Sequence, residues 1–195
     1  MSIDGYVSGV NGEIDWITNK LDSELKKYIY NLTRPVDYII MGKNYALASI
    51  AKWEERLSVQ DSADSYTKRM VETQKLVFSR SLTHINGKNT RLTSGDLNEE
   101  VNRLKKMKGR DIIAYGGVSF LSSLIRMGLV DEFNLFVNPV ILGQGRSIFA
   151  NMSRLKLELV YSTHFDCGIT ALCYVPVKKS ENSEPIGIIT DSAGI

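Results

Sequence analysis

The stretch DIIAYGGVSFLSSLIR, Asp111 to Arg126, decides how this chain is read. Ile112 to Tyr115 is a short apolar run and reads as a buried strand. It stops at Gly116-Gly117. Beyond the glycines, Val118, Leu121, Leu124 and Ile125 recur on one face of a helix. A strand that ends in a glycine pair and feeds a helix leaves bare backbone N–H groups at a helix N-terminus. That end carries partial positive charge and unpaired donors, so it suits a phosphate. Glycine has no Cβ to hold a ligand off the backbone. A plain tight turn has the same sequence, and a lone Gly-Gly does not separate the two readings.

Two junctions upstream have the same character. Val36 to Met41 (VDYIIM) is a rich strand candidate that ends at Gly42, and Lys43 to Ile50 starts a helix. Lys75 to Phe78 is a short strand ending in Ser79-Arg80. A hydroxyl and a planar guanidinium at a strand end suit a phosphate monoester. Taken singly, Lys43 and Arg80 read equally well as solvated surface cations. In open α/β sheets, however, ligands lie outside the carboxyl ends of the strands. The three junctions therefore fall on one edge. A pyrophosphate with a further monoester fits them, and NADPH is such a molecule. The common GxGxxG fingerprint is absent, and no strand with a terminal acid follows it at the expected distance.

The whole chain sets limits. Its 195 residues suit one domain with a sizeable core. A net charge of +2, with basic and acidic residues interleaved, gives no footprint for nucleic acid. No apolar run approaches the ~20 residues that span a bilayer. No secretory leader is expected, since Met1 leads straight into a Gly-Asp turn sequence. Cys167 and Cys173 lie six apart in an expected strand, which holds them about 20 Å apart and rules against a disulfide. A reducing cytoplasm is the simplest home. With only His84 and His164 and no clustered cysteines, no metal site is expected.

The remaining segments follow in order. The opening is loop-like, with turn signals at Asp4-Gly5 and Asn11-Gly12 and an aromatic anchor at Trp16. Residues 21 to 32 read as a helix, 51 to 63 as irregular, and 65 to 73 as a helix. Residues 84 to 95 hold turns around a short strand. Asp96 caps a helix carrying Leu97, Val101 and Leu104. Glu132 to Leu142 reads as a long strand interrupted at Pro139, with a flexible loop at Gly143 to Gly145 after it. Leu155 to Phe165 and Ile169 to Val177 read as an antiparallel pair. The expected fold is α/β, with a mostly parallel central sheet that acquires antiparallel strands at its C-terminal end. The domain covers residues 1–177. Residues 178–195 form a polar tail with a β-prone run, Ile186 to Thr190. Exposed edges of the last strands need covering, which points to a homodimer.

SIDGYVSGVNGEIDW, VDYIIMGK, VFSR, AYGGVSFLSSLI and FVNPVILGQGRSIF follow, in that order, the pattern of the dihydrofolate-reductase-like superfamily. The branch that the chain resembles most is the reductase domain of the bifunctional riboflavin-biosynthesis deaminase-reductase, with its stand-alone relatives. The resemblance implies a dihydrofolate-reductase-like three-layer α/β fold and an NADPH-dependent reductase. By the resemblance, Gly116, Gly117, Val118 and Ser119 match the pyrophosphate loop. Gly42 and Lys43 match the Gly-Arg junction at the cofactor, and Ser79 and Arg80 match the segment that meets the adenosine 2′-phosphate. Ser2, Asp4 and Gly5 match the S-x-D-G of the substrate-side loop, and Asp15 and Trp16 match its far end.

The implied reaction is hydride transfer to a small heterocyclic or carbonyl compound. The type substrate of the branch is 5-amino-6-(5-phosphoribosylamino)uracil, whose ring-opened ribosyl is reduced to ribityl. Asp4 is the candidate catalytic residue, read against an aspartate that only caps its turn. Arg146 is a candidate anion contact from the late loop. Three departures stand out. Asn44-Tyr45 replaces the Lys/Arg-Thr that often follows the second junction. The acid that dihydrofolate reductases use for protonation has only Asp22 and Glu24 as candidates. Relatives also carry a strand before S-x-D-G, so either the natural start lies upstream or another segment, such as Ile186 to Thr190, fills that place. A true dihydrofolate reductase and a non-catalytic relative are the alternatives.

Overall fold

The computed structural model describes residues 1–18, 20–59, 65–109 and 111–177. Alternation of strand and helix governs its first part. Helix α1 (Ser23–Thr33) leads to β1 (Val36–Gly42), α2 (Lys43–Val59), α3 (Ser65–Glu72), β2 (Gln74–Phe78) and β3 (Thr90–Thr93). Then come α4 (Leu97–Lys105), β4 (Asp111–Tyr115), α5 (Val118–Arg126), β5 (Phe133–Val137), β6 (Leu157–His164) and β7 (Thr170–Pro176). Four strands form a parallel sheet in the order β3-β2-β1-β4, and three form an antiparallel sheet in the order β5-β7-β6. This is the expected α/β class, with the hydrogen bonding divided between two sheets.

The period-two pattern of β1 produces the layers. Ile39 and Met41 point to one face, where α2 and α3 cover them with Ala46, Ile50, Trp53, Met70 and Val71. Ile40 points to the other face, against Val101 and Leu104 of α4 and Leu124 of α5. Leu25 of α1 packs on Phe165, Ile169 and Ala171 of the antiparallel sheet. Helices on both faces of a sheet make three layers.

Several boundaries differ from expectation. Helix α2 runs on to Val59 through residues expected to be irregular, because buried Trp53 anchors its second half to the core. The long strand from Glu132 stops at Val137, since Pro139 has no N–H and Asn138 turns away, its own N–H bonded to the Met1 carbonyl. Cys167 sits in the turn before β7 rather than within a strand, and both cysteines are free. Ile186 to Thr190 lie outside the described residues.

Candidate cofactor and substrate site

Parallel register brings the three junctions together. Gly42 stands opposite Phe78, the residue before Ser79, and Met41 stands opposite both Val77 and Tyr115. The carboxyl ends of β2, β1 and β4 therefore lie side by side. Ser79-Arg80, Gly42-Lys43 and Gly116-Gly117 follow one another along a single edge. Phe120 welds two of them. A Cβ on Gly42 would meet the Phe120 Cβ at 3.0 Å, and one on Gly116 would meet its ring at 2.7 Å. Gly117 differs, because a Cβ there would meet nothing within 4 Å. It is the N-cap of α5 and offers no side-chain acceptor. The N–H groups of Val118 and Ser119, in the first turn, have no partner within the helix. This end is open, donor-rich and positive.

Lys43 reaches along the edge, and its Nζ donates to Ser81 Oγ at 3.0 Å. Ser79 Oγ accepts from the N–H groups of Ser81 and Leu82, at 3.2 and 3.0 Å, which shapes a tight turn after β2. Exposed Arg80 lines a cleft of about 160 Å³ with Ser79, Thr93, Ser94, Gly95 and Leu97. The cleft lies at the ends of β2 and β3, beside the start of α4.

The opening segment is held to the late loop. Ser8 and Arg146 form an antiparallel bridge, and Arg146 Nε donates to the Val10 carbonyl at 2.8 Å. Asp4 accepts from the N–H of Gly143 at 2.7 Å and of Leu142 at 3.2 Å. The Ser2 hydroxyl beside it, with those two N–H groups, holds the Asp4 carboxyl below its ordinary value. Ser2 is itself buried, and its Oγ accepts from the Tyr6 N–H at 2.9 Å. Trp16 is half-buried and donates from Nε1 to the Glu13 carbonyl at 3.1 Å, while Asp15 is exposed. Val7 and Val118 pack on one apolar cluster of Ile125, Phe133 and Ile148. That contact sets the opening segment beside the N-terminal turn of α5.

From residue 1 to residue 171 the sequence matches the family described as the RibD C-terminal domain. The chain belongs to that family. The protein YyaP of Bacillus subtilis (strain 168) is 32% identical over 178 residues, which cover 89% of this chain and 90% of YyaP. Among solved structures, RibD of Acinetobacter baumannii superposes with a TM-score of 0.68 at 19% identity, over 91% of this chain and 56% of its own. The Thermotoga maritima diaminohydroxyphosphoribosylaminopyrimidine deaminase/5-amino-6-(5-phosphoribosylamino)uracil reductase gives 0.63 at 16% identity, over 90% and 54%. This chain thus spans about half the length of those two proteins, and the likeness to them is one of fold.

Tyr45, which follows the Gly42-Lys43 junction, is taken up by packing. The ring turns inward and stacks on Tyr115, with centroids 5.6 Å apart and planes at 8°. Burial pushes both phenols above their ordinary value, so both stay neutral. Asp22 is occupied as well. It caps α1 by accepting from the Leu25 N–H at 2.7 Å, and it also accepts from the Cys167 N–H at 3.0 Å. Sequence reasoning missed Ser81, the wall from Thr93 to Gly95, and Phe120. The spacing Ser79-x-Ser81 carried a signal for the first. The others are set by packing between strands. Among the described residues no cluster of His, Cys, Asp and Glu could hold a metal ion, and no helix is long and apolar enough to cross a membrane.

Proposed function

We propose that this protein is an NADPH-dependent reductase acting on a riboflavin-pathway type of substrate, a ribosylaminopyrimidine such as 5-amino-6-(5-phosphoribosylamino)uracil. The observation that carries the reading is the alignment of Gly42-Lys43, Ser79-Arg80 and Gly116-Gly117 on one sheet edge, with Gly117 facing open space. The residues fit a phosphorylated dinucleotide. The N–H groups at the start of α5 would take the pyrophosphate, as helix N-termini do. Arg80 and Ser79 would hold the adenosine 2′-phosphate in the small cleft, where a planar guanidinium can bind two oxygens at once. Lys43 would neutralise charge between these two points. The bound cofactor would supply the hydride.

The chain's own part is positioning and exclusion of water. Ser2, Asp4, Asp15, Trp16 and Arg146 belong to the substrate side in this reading. Exposed Asp4 ties the opening segment to Gly143 while keeping lone pairs for a substrate donor. Arg146 would meet the substrate phosphate. We further propose a homodimer through the exposed edge strand β6, where Leu159, Val160 and Tyr161 are uncovered.

The test is nucleotide binding by fluorescence, with NADPH, NADH and Arg80→Ala. NADPH is expected to bind in the micromolar range and NADH at least tenfold more weakly. Arg80→Ala should erase that difference. If folded protein binds neither nucleotide, the reductase reading falls, and a non-catalytic fold relative replaces it. Strong inhibition by methotrexate would instead favour dihydrofolate reduction.

A further inference from the structure

Ser2, Asp4, Asp15 and Trp16 all lie on the opening loop, residues 1–18, and both ends of that loop meet at one residue. Asn138, which follows β5, is 3% exposed. Its backbone N–H donates to the Met1 carbonyl at 2.8 Å. Its side-chain Oδ1 accepts from the Thr18 N–H at 3.0 Å. Its Nδ2 faces the carbonyls of Met1 and Phe136, 3.5 Å from each. A loop whose ends are held together has the form of an Ω-loop, which is frequently functional.

The two limbs of the loop are held differently. The outgoing limb is tied to the late loop along its length. The Ile3 N–H donates to the Val140 carbonyl and the Val7 N–H to the Arg146 carbonyl, each at 2.8 Å, beside the contacts of Asp4 and Ser8. The returning limb has no such series. Among the described residues, the hydrogen bonds of Asn11 to Ile17 stay within the loop. Asn11 and Trp16 bond to Glu13, Gly12 to Gly9, and Ile17 to Ile14. Ile14 is 61% and Ile17 38% exposed, which leaves half-buried Trp16 as the apolar anchor of the limb. The bond from Thr18 to Asn138 is where this limb first meets the rest of the fold.

We propose that Asn138 is a positioning residue of the substrate side. Its side chain clasps the returning limb and so fixes Asp15 and Trp16. Its backbone holds the outgoing limb, which carries Ser2 and Asp4. The role rests on the reading of this loop as the substrate side. Asparagine suits the task, because one side chain presents an acceptor to Thr18 and donors towards the two carbonyls. Leucine has a similar size and neither group. An aspartate would set a charge against two carbonyl oxygens. Loss of the acceptor would leave the Thr18 N–H unpaired and free the limb by a local opening. Among the described residues Asn138 makes no hydrogen bond to the strand ends that carry Gly42, Ser79 and Gly116, so the cofactor edge is untouched by that opening.

The experiment compares the full chain with Asn138→Leu, Thr18→Pro and the double variant. Thr18→Pro removes the same bond from the other side, at a half-buried position outside the core. Amide exchange, the Trp16 indole resonance, Tm, NADPH affinity and KM for 5-amino-6-(5-phosphoribosylamino)uracil are read. In Asn138→Leu the Thr18 amide is expected to exchange about tenfold faster. The Trp16 resonance should move, while the Val7 and Gly143 amides keep theirs. NADPH affinity should stay within about twofold, as for a distant site. KM should rise roughly tenfold, because misplaced groups lose the substrate's orientation. Thr18→Pro should move the Trp16 resonance and KM in the same way. The double variant should go no further than either single one, since both remove one bond. If Asn138→Leu does not fold, Thr18→Pro decides by the same two readouts. A lower Tm with the Trp16 resonance and KM unchanged would make Asn138 a core residue only and overturn the proposal. Additive effects of the two substitutions would overturn it as well. Wild-type protein that binds NADPH but leaves this pyrimidine unreduced would remove the substrate, and the Thr18 and Trp16 signals would still decide the clasp.

Discussion

Phe120 stands against Gly42: a Cβ at that glycine would lie 3.0 Å from the Phe120 Cβ and 3.1 Å from its Cγ. The neighbouring atoms are the root of the side chain, which cannot swing aside. Gly42→Ala is therefore expected to destabilise by about 1–3 kcal/mol through overpacking. Gly117 has open space where a Cβ would go and a φ of −71°, which any residue adopts. Gly117→Ala should change stability by less than about 0.5 kcal/mol. It should still weaken NADPH at least tenfold, because in the proposed binding mode the methyl group would stand where the pyrophosphate approaches. Calorimetry and a fluorescence titration on both variants separate the two roles. Native NADPH affinity in Gly117→Ala would remove the pyrophosphate from this turn.

The sequence carried the edge better than it carried the site's walls. Each strand–glycine–helix junction is local, written in a few consecutive residues, so Gly42, Ser79-Arg80 and Gly116-Gly117 could be read directly. Their alignment followed from the rule for parallel sheets, and the register agrees. Phe120 could not be read this way, because its task is set by the distance between two strands. The role of Asp4 was equally hidden, since its partners Leu142 and Gly143 lie far along the chain. Helix α2 outruns the expected Lys43 to Ile50 for a related reason. Its polar second half has weak periodicity, and only the burial of Trp53 shows why it continues.

Asp4 ties the opening turn to the late loop, and the tie depends on charge. The Ser2 hydroxyl and the N–H groups of Gly143 and Leu142 favour the carboxylate, so its folded pKa lies below the ordinary 3.8. A depressed acid stabilises above its unfolded value and loses that contribution as pH falls through the folded value. The Gly143 amide resonance should therefore stay constant from neutral pH down to about 5 and move in acid with a midpoint below 3.8. In Asp4→Ala it should be displaced at every pH, and turnover should fall at least tenfold with cofactor binding little changed. A Gly143 resonance that already moves near pH 6 would show that the tie is not made by Asp4.

Strand β6 leaves Leu159, Val160 and Tyr161 between 40% and 54% exposed on a sheet edge. Exposed apolar edges are templates for pairing, and a second copy is the occupant we propose. Light scattering at micromolar concentration is expected to give twice the 21.9 kDa chain mass. Val160→Lys should shift the protein to monomer without lowering helix content. A wild-type monomer at that concentration would refute the pairing.

Lys75 is a buried cation with a structural task. It is 2% exposed, and its Nζ donates to the carbonyls of Met70, Val71 and Thr73 at 2.9, 2.8 and 2.7 Å. These carbonyls end α3, where the helix leaves its acceptors unpaired. Burial pulls the ammonium from 10.5 down to about 8. Between those values the unfolded chain binds more protons than the folded one, so stability rises with pH across that window. Below about 8 both states are protonated, and this group adds no slope. The rise is at most about 3 kcal/mol, from the 1.36 kcal/mol that each pKa unit represents. Lys75→Met should lower stability at pH 7 by about 1–3 kcal/mol, since three carbonyls lose their donor. It should also abolish the rise. Urea unfolding of both proteins at pH 7 and pH 9.5 is the measurement. Parallel pH slopes would mean that Lys75 does not titrate in this window and that its three acceptors hold the charge against burial.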